Sequence, residues 1–399
     1  MGNLFSIETI QQTISSYWDV EEQVESEDLS ADTRLMALQG SSTYLAKYLG
    51  LSNKVVSRAD WITALENKRA EWMNDYDLDR DGPLTPIKER ERRIDLTNLV
   101  NLVFAQAVLK SKHLDTDWVI SQREFTDENG KPIFSSFWSG YIRERLLPIL
   151  RDSTNNVFES DPGFIFIDVG TGELKFFGGQ ANEDFRDFTS EGQFGSMDGT
   201  EFNRKVQLEL DSESPSALNI ANDIRSYIRD CEGGLVDSEE MAIYCAASES
   251  MRQLRDKNLE KFALLVQDFE KYNIFFEVVS TEDESKYEQA AIKYGLENGV
   301  DVDDLVSELC LVGNLAWGNG SMQGMHTTHG SVAIPVGLKM LKNEVHRIVD
   351  PSDKGLKCIG LASTLRIEGE GRKQTLVVSS IGSLNLLFEM LDRHMAQYL

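Results

Sequence analysis

The stretch Phe164-Ile165-Phe166-Ile167-Asp168-Val169-Gly170-Thr171-Gly172-Glu173-Leu174-Lys175 decides how this chain is read. Its short, unbroken apolar run suits a strand buried on both faces, with an acidic residue at its end and a glycine turn into a returning strand. Such a turn has a chemical use. Glycines let the backbone approach a phosphate and aim N–H groups at it, while an adjacent aspartate can hold a divalent metal or its water shell. Asp-x-Gly-x-Gly is also an ordinary hairpin, so the reading depends on the surrounding sequence. A second turn of the same kind, Gly318-Asn319-Gly320-Ser321-Met322-Gln323-Gly324, again follows a hydrophobic run.

After Asn155, short apolar runs alternate with helical patterns, which argues for sheets covered by helices. Between the two glycine turns lie two further segments. Ala246-Ala247-Ser248-Glu249-Ser250-Met251-Arg252-Gln253-Leu254 reads as a strand passing into a helix, and Val279-Ser280-Thr281-Glu282-Asp283-Glu284-Ser285-Lys286-Tyr287 reads as an acidic helix start. Farther on come Ser331-Val332-Ala333-Ile334-Pro335-Val336-Gly337-Leu338 and Val378-Ser379-Ser380-Ile381-Gly382-Ser383. Each has a bland account. Arg252 can pair with Glu249 or Asp256 on its own helix, and Glu284 is favourable in a first turn by the helix dipole alone.

Taken in order, over about residues 160 to 395, these segments resemble the actin and sugar-kinase superfamily, and within it the exopolyphosphatase and apyrase branch. The resemblance implies a bilobal actin/ribonuclease-H-like α/β domain, with a nucleotide or polyphosphate substrate lying between duplicated lobes. It implies hydrolysis of phosphoanhydride bonds with Mg2+ or Ca2+. Asp168 would serve the metal and Arg252 the phosphate. Glu284 would position water with help from Gln323, and Gly170, Thr171, Gly172, Gly318, Gly320 and Ser321 would cradle phosphates. One departure stands out: where the family carries an aspartate entering the second hairpin, this chain has Ala316. The competing expectation is a catalytically degenerate regulator that keeps the fold to bind nucleotide or protein.

Residues 1–30 read as an acidic flexible tail, and 31–150 as a helical domain, because Thr33-Arg34-Leu35-Met36-Ala37-Leu38 and later segments show three-to-four apolar spacing. Asp77-Leu78-Asp79-Arg80-Asp81-Gly82-Pro83-Leu84 matches the opening of a calcium loop, making Asp77, Asp79 and Asp81 candidate calcium ligands, but Lys88 stands where a bidentate glutamate belongs. A second, weaker loop covers His113 to Phe125, and Leu84 and Ile120 are spaced to pair through a short β contact. The region resembles the EF-hand family, which implies a helical, EF-hand-like domain in front of the α/β part, with a groove for a protein partner. The expected lobes are 151–305 and 306–399.

Composition narrows the function. The 399 residues carry a net charge of −26, which repels nucleic-acid backbones and anionic lipid. The four cysteines lie far apart with no metal or disulfide spacing, and there is no P-loop, GxSxG or HExxH pattern. No secretory leader or membrane-spanning run is evident, so a cytoplasmic protein is expected. Gly2 in Met-Gly-x-x-x-Ser fits N-myristoylation, which by itself supports only weak, peripheral membrane association.

Overall fold

The chain enters the fold as a strand, β1 (Arg34–Gly40), and turns at Gly40, whose φ is +67°, into helix α1 (Ser41–Tyr48). The structure is a computed structural model and describes residues 34–51, 55–74, 91–111, 118–121, 125–153, 163–231, 242–300, 311–320, 322–326, 330–350, 364–370 and 373–399. Next come β2 (Val55–Ser57), α2 (Arg58–Asn74), β3 (Arg92–Asp95), α3 (Leu96–Leu109) and β4 (Trp118–Ser121). Asp95 caps α3 by accepting from the Asn98 N–H at 2.9 Å. The helix is apolar nearly all round and therefore buried, with α1, α2 and two later helices packed about it. A small hairpin, β5 (Phe125–Thr126) and β6 (Pro132–Ile133), leads to a helix over 137–153, α4, which contains a π-turn at Ile142–Leu146.

The first lobe follows in simple chain order. Strands β7 (Gly163–Val169), β8 (Glu173–Ala181), β9 (Phe188–Thr189) and β10 (Gln193–Asp198) precede α5 (Gly199–Asp211) and α6 (Leu218–Cys231). Then come β11 (Ile243–Ala247), α7 (Glu249–Lys257), α8 (Leu259–Glu270), β12 (Ile274–Val278) and α9 (Thr281–Asn298). The sheet order is β10-β8-β7-β11-β12, with β7, β11 and β12 parallel and the hairpin strands antiparallel. Helical periodicity supplies its cover: Phe202, Val206 and Leu210 on α5, and Ile220, Ile224 and Ile228 on α6, lie in one apolar core with Ile165, Ile167 and Phe176.

The second sheet repeats that unit with its chain order rotated. Strands β13 (Leu311–Trp317), β14 (Met322–His326) and β15 (Gly330–Ile334) are followed by α10 (Leu338–Val349), β16 (Leu365–Glu368), β17 (Thr375–Val378) and α11 (Ile381–Met395). The order is β15-β14-β13-β1-β4-β2, with β13, β1 and β4 parallel. The places held by β11 and β12 in the first sheet are held here by β1 and β4, from the other end of the chain. The second lobe is thus circularly permuted, and the chain crosses between lobes twice, through α4 and through α9. These two helices pack so closely that a Cβ on Gly140 would overlap the Tyr287 carbonyl oxygen.

This corrects the expectation of a separate helical domain over 31–150. Leu35 to Leu38 is apolar at both helical and strand spacing, and parallel pairing with Leu311–Trp317 decides in favour of a strand. Met36 and Leu38 share one core with Leu315, Trp317, Leu341 and Phe388. Ile120 faces Met36 across one edge of β4 and Val56 across the other, so no edge remains for the expected contact with Leu84. The EF-hand reading therefore has no support, and α3 is buried along nearly its whole length within the second lobe. Asp77, Asp79, Asp81, Leu84, Lys88 and Gly2 lie outside the described residues. Val378, expected at a late glycine turn, ends β17 in a separate three-stranded sheet, β16-β17-β3. Among the described residues no helix is long and apolar enough to cross a membrane.

The rotated order makes a direct prediction. A fragment of residues 151–399 contains the whole first sheet but leaves β13 without its parallel neighbour, an unprotected apolar edge. Expressed alone it should aggregate, and supplying residues 31–150 in trans should restore a soluble complex, as read by size-exclusion chromatography. A soluble, monomeric fragment with native-like circular dichroism would show the lobe to be complete without β1.

Candidate active site

Both glycine turns sit at the carboxyl ends of parallel strands, where open α/β sheets form their ligand crevices. In the first, Gly170 N–H donates to the Glu173 carbonyl at 3.0 Å and closes the hairpin. Its outer carbonyls are taken by the start of α5: Gly199 N–H donates to Gly172 O at 3.2 Å, and Asn203 Nδ2 to Thr171 O at 3.2 Å. Residue 199 must be small, since a Cβ there would stand 2.5 Å from Glu173 N. The second hairpin repeats the device. Leu338 N–H donates to Gly318 O at 2.9 Å and Lys339 N–H to Asn319 O at 3.2 Å, and a Cβ on Gly337 would overlap Asn319 O. The N–H groups of Thr171, Gly172, Asn319 and Gly320 donate to no backbone carbonyl among the described residues, which leaves them for a ligand. Gly170 N–H, expected in that cradle, is spent on the turn.

The two hairpins meet, although distant in sequence. A Cβ on Gly172 would lie 3.0 Å from Asn319 Nδ2, and one on Gly320 would lie 3.4 Å from Thr171 Oγ1 and 3.0 Å from Glu249 Cβ. Behind the second hairpin, Gly40 backs onto Trp317, where a Cβ would stand 2.6 Å from its carbonyl oxygen.

Charged groups gather at the same strand ends. Asp168 Oδ2 lies 3.9 Å from Lys175 Nζ on the facing strand, and burial raises the Asp168 pKa against the pull of that lysine. Arg252, on α7 and 8% exposed, is tied on three sides. Its Nε donates to Glu249 Oε2 at 3.1 Å, its Nη1 to the Val279 carbonyl at 2.6 Å, and Nη1 and Nη2 to Glu284 Oε2 at 3.1 and 3.2 Å. Ser280 caps α9 by accepting from Asp283 N–H at 3.0 Å, which sets Glu284 in the first turn facing Arg252. Burial pushes the Glu284 carboxyl up to about 7; Arg252 opposes this, and the charges of Asp168 and Glu249 add to it.

One turn along α9, Glu288 is buried and its pKa is raised well above the ordinary range, by burial and then by Glu284. It accepts from Asn314 Nδ2 of β13, and Asn314 Oδ1 accepts from Ser285 Oγ at 3.3 Å. This fastens α9 to the second sheet. Sequence reasoning passed over Glu249, Glu288 and Lys175 as site residues, whereas Asn314, a lone amide in the apolar run Leu311–Trp317, stands out beside Ala316 as a polar group near the second hairpin. Glu288 left a signal in its four-residue spacing from Glu284. Ala316, 4% exposed and one residue before the end of β13, lies opposite Gln323 of β14, whose side chain lies outside the described set, as does Ser321.

Among the described residues no group of three His, Cys, Asp or Glu is arranged to hold a metal. A hard ion of the magnesium kind needs fewer, since it is commonly bound through one or two carboxylates with waters and substrate phosphates completing its shell. Asp168, its side chain 19% exposed at the hairpin, suits one such contact and not an all-protein cage.

No family model matches this chain, and no curated protein does. Solved structures with partial likeness include the Aquifex aeolicus member of the Ppx/GppA family, at 17% identity over 46% of this chain and 54% of that one, with TM-score 0.30. An exopolyphosphatase from Cytophaga hutchinsonii shows 18% identity over 51% and 58%, with TM-score 0.29. Nucleoside triphosphate hydrolases from Neospora caninum show 15% over 45% and 40%, with TM-score 0.27. The chain spans only 40–58% of the length of these structures.

The raised Glu284 value has a consequence for stability. Between the ordinary carboxyl value of 4.5 and about 7 the folded protein holds a proton here that the unfolded chain releases. Its contribution therefore falls as pH rises through that window. Urea midpoints measured from pH 4.5 to 8 should decline for the wild type, and Glu284→Gln should flatten the decline. An unchanged slope would place Glu284 in contact with solvent.

Proposed function

We propose that this protein hydrolyses phosphoanhydride bonds of a nucleoside di- or triphosphate or a polyphosphate in a metal-dependent reaction. The observation that carries the reading is the meeting of two glycine hairpins, one per sheet, at the place where Asp168, Arg252 and Glu284 also converge. Polyphosphate chemistry asks for backbone donors around the transferred group, a cation on it and a base to orient water. The hairpin N–H groups of Thr171, Gly172, Asn319 and Gly320 supply the first, and the Arg252 guanidinium the second. Glu284 supplies the third: near neutrality it is divided between acid and carboxylate, a suitable state for a general base. Its carboxylate takes a proton from water as the water oxygen forms its bond to phosphorus. The bridging P–O bond breaks, and its electron pair leaves with the departing phosphate.

Asp168 would hold Mg2+ together with phosphate oxygens; the ion would neutralise charge on the phosphate chain. Lys175 keeps Asp168 from facing that charge alone.

The regulator reading is supported by Ala316, which brings no carboxylate to the second hairpin, and by the engagement of Arg252 with two glutamates. Phosphate release separates the two readings. With ATP, ADP or tripolyphosphate and Mg2+, the enzyme reading expects turnover that rises with pH through about 7 and falls about a hundredfold in Glu284→Gln. Measurable binding with no phosphate release from any of the three would establish the regulator.

A further inference from the structure

Resting on the phosphate-binding reading, we infer that Glu249 is an internal anion that determines which phosphate ligands the cleft admits, favouring those that bring a metal cation. Glu249 is the first residue of α7 and belongs to the first lobe, yet it reaches the second hairpin, where a Cβ on Gly320 would lie 3.0 Å from its Cβ and 3.1 Å from its Cγ. Both carboxylate oxygens are directed by donors. Oε2 accepts from Arg252 Nε at 3.1 Å and Oε1 from Gln253 Nε2 at 2.9 Å. It thus holds the Arg252 guanidinium while its Cβ and Cγ stand against Gly320 of the second hairpin, beside which Thr171 Oγ1 of the first also lies.

The charges around the meeting point make the consequence definite. On β7 and β8, Asp168 and Lys175 offset one another. On α7, Glu249 offsets Arg252, and on α9 Glu284 adds a second carboxylate to the same guanidinium. Glu288 and the neutral Asn314 of β13 complete the surroundings. Lys175 and Arg252 are thus each held by a carboxylate and offer a bare polyanion little uncompensated charge. A phosphate chain carrying a divalent ion brings its own compensation and meets Asp168; a bare one must displace Glu249 from Arg252 against like-charge repulsion. Glutamate here works as a filter, distinct from the work assigned to Glu284.

Titration calorimetry of the full chain with tripolyphosphate, once in EDTA and once in excess Mg2+, tests this. Wild type should bind well with Mg2+ and at least about tenfold more weakly in EDTA. Glu249→Gln keeps the shape and an acceptor oxygen but removes the charge; it should tighten binding in EDTA about tenfold and change binding with Mg2+ much less. Glu249→Asp, which retains the charge, should behave as wild type, and Glu249→Ala should follow the glutamine variant. Equal affinity of wild type and Glu249→Gln in EDTA would overturn the filter and leave the phosphate reading standing. Weaker binding of Glu249→Gln in both conditions would make Glu249 a ligand-holding group and overturn it as well. Absence of binding by every form in both conditions would defeat the phosphate reading itself, and the filter with it.

Discussion

The parallel pairing of Arg34–Gly40 with Leu311–Trp317 is the contact on which the second half of the molecule depends. It supplies β13 with its neighbour, gives β4 a strand to pair with, and lets α3 fill the core beneath. The site depends on it too. Trp317 ends in the second hairpin, and its carbonyl is backed by Gly40, so the register of this one pairing sets where that hairpin stands relative to the first. A slip of one residue would turn Met36 and Leu38 out of the core.

The two hairpins show one local solution used twice. In each, a glycine at the start of a helix allows N–H groups of the helix end to take the outward carbonyls of the turn. The dipoles of α5 and α10 add positive character beside the two turns. Potential of that kind, drawn from backbone, suits a chain with a net charge of −26 in which Lys175 and Arg252 each lie against a carboxylate.

Legibility in the sequence followed distance along the chain. The first lobe was readable because its strands and helices come from one continuous stretch of chain and its helices, α5 and α6, carry clean three-to-four spacing. Asp168, Arg252, Glu284 and the two glycine turns were legible as residue types that phosphate chemistry needs near glycine, and the fold brings them to one place. What failed was non-local. Leu35 to Leu38 fits either periodicity, and only a partner almost the whole chain away makes it a strand. Glu249 looked like a helix-surface residue because its contact with Gly320 joins two lobes. Glu288 finds its partner Asn314 on a strand of the second sheet, 26 residues along the chain. The calcium-loop pattern at Asp77–Asp81 lies outside the described residues, and the β contact expected of it is met at Ile120 by neighbours on both sides.

The rotated strand order also has a temporal side. Ser42 donates to the carbonyl of Leu315, a separation of 273 residues. During synthesis at about 5–20 residues per second, β1 leaves the ribosome roughly 15–55 s, and α3 roughly 10–40 s, before their partner strand exists. Through that interval the apolar helix Leu96–Leu109 has no finished core to enter, whereas the first lobe emerges contiguous and able to close by itself. Such long-range closure is slow and exposes sticky surface in the meantime. The order of events is therefore set by the permutation: the middle of the chain folds first, and its two ends then assemble against it as the final step. A nascent chain stalled before residue 311 holds a finished lobe and an orphaned beginning, a form in which chaperone capture is expected at the N-terminal third.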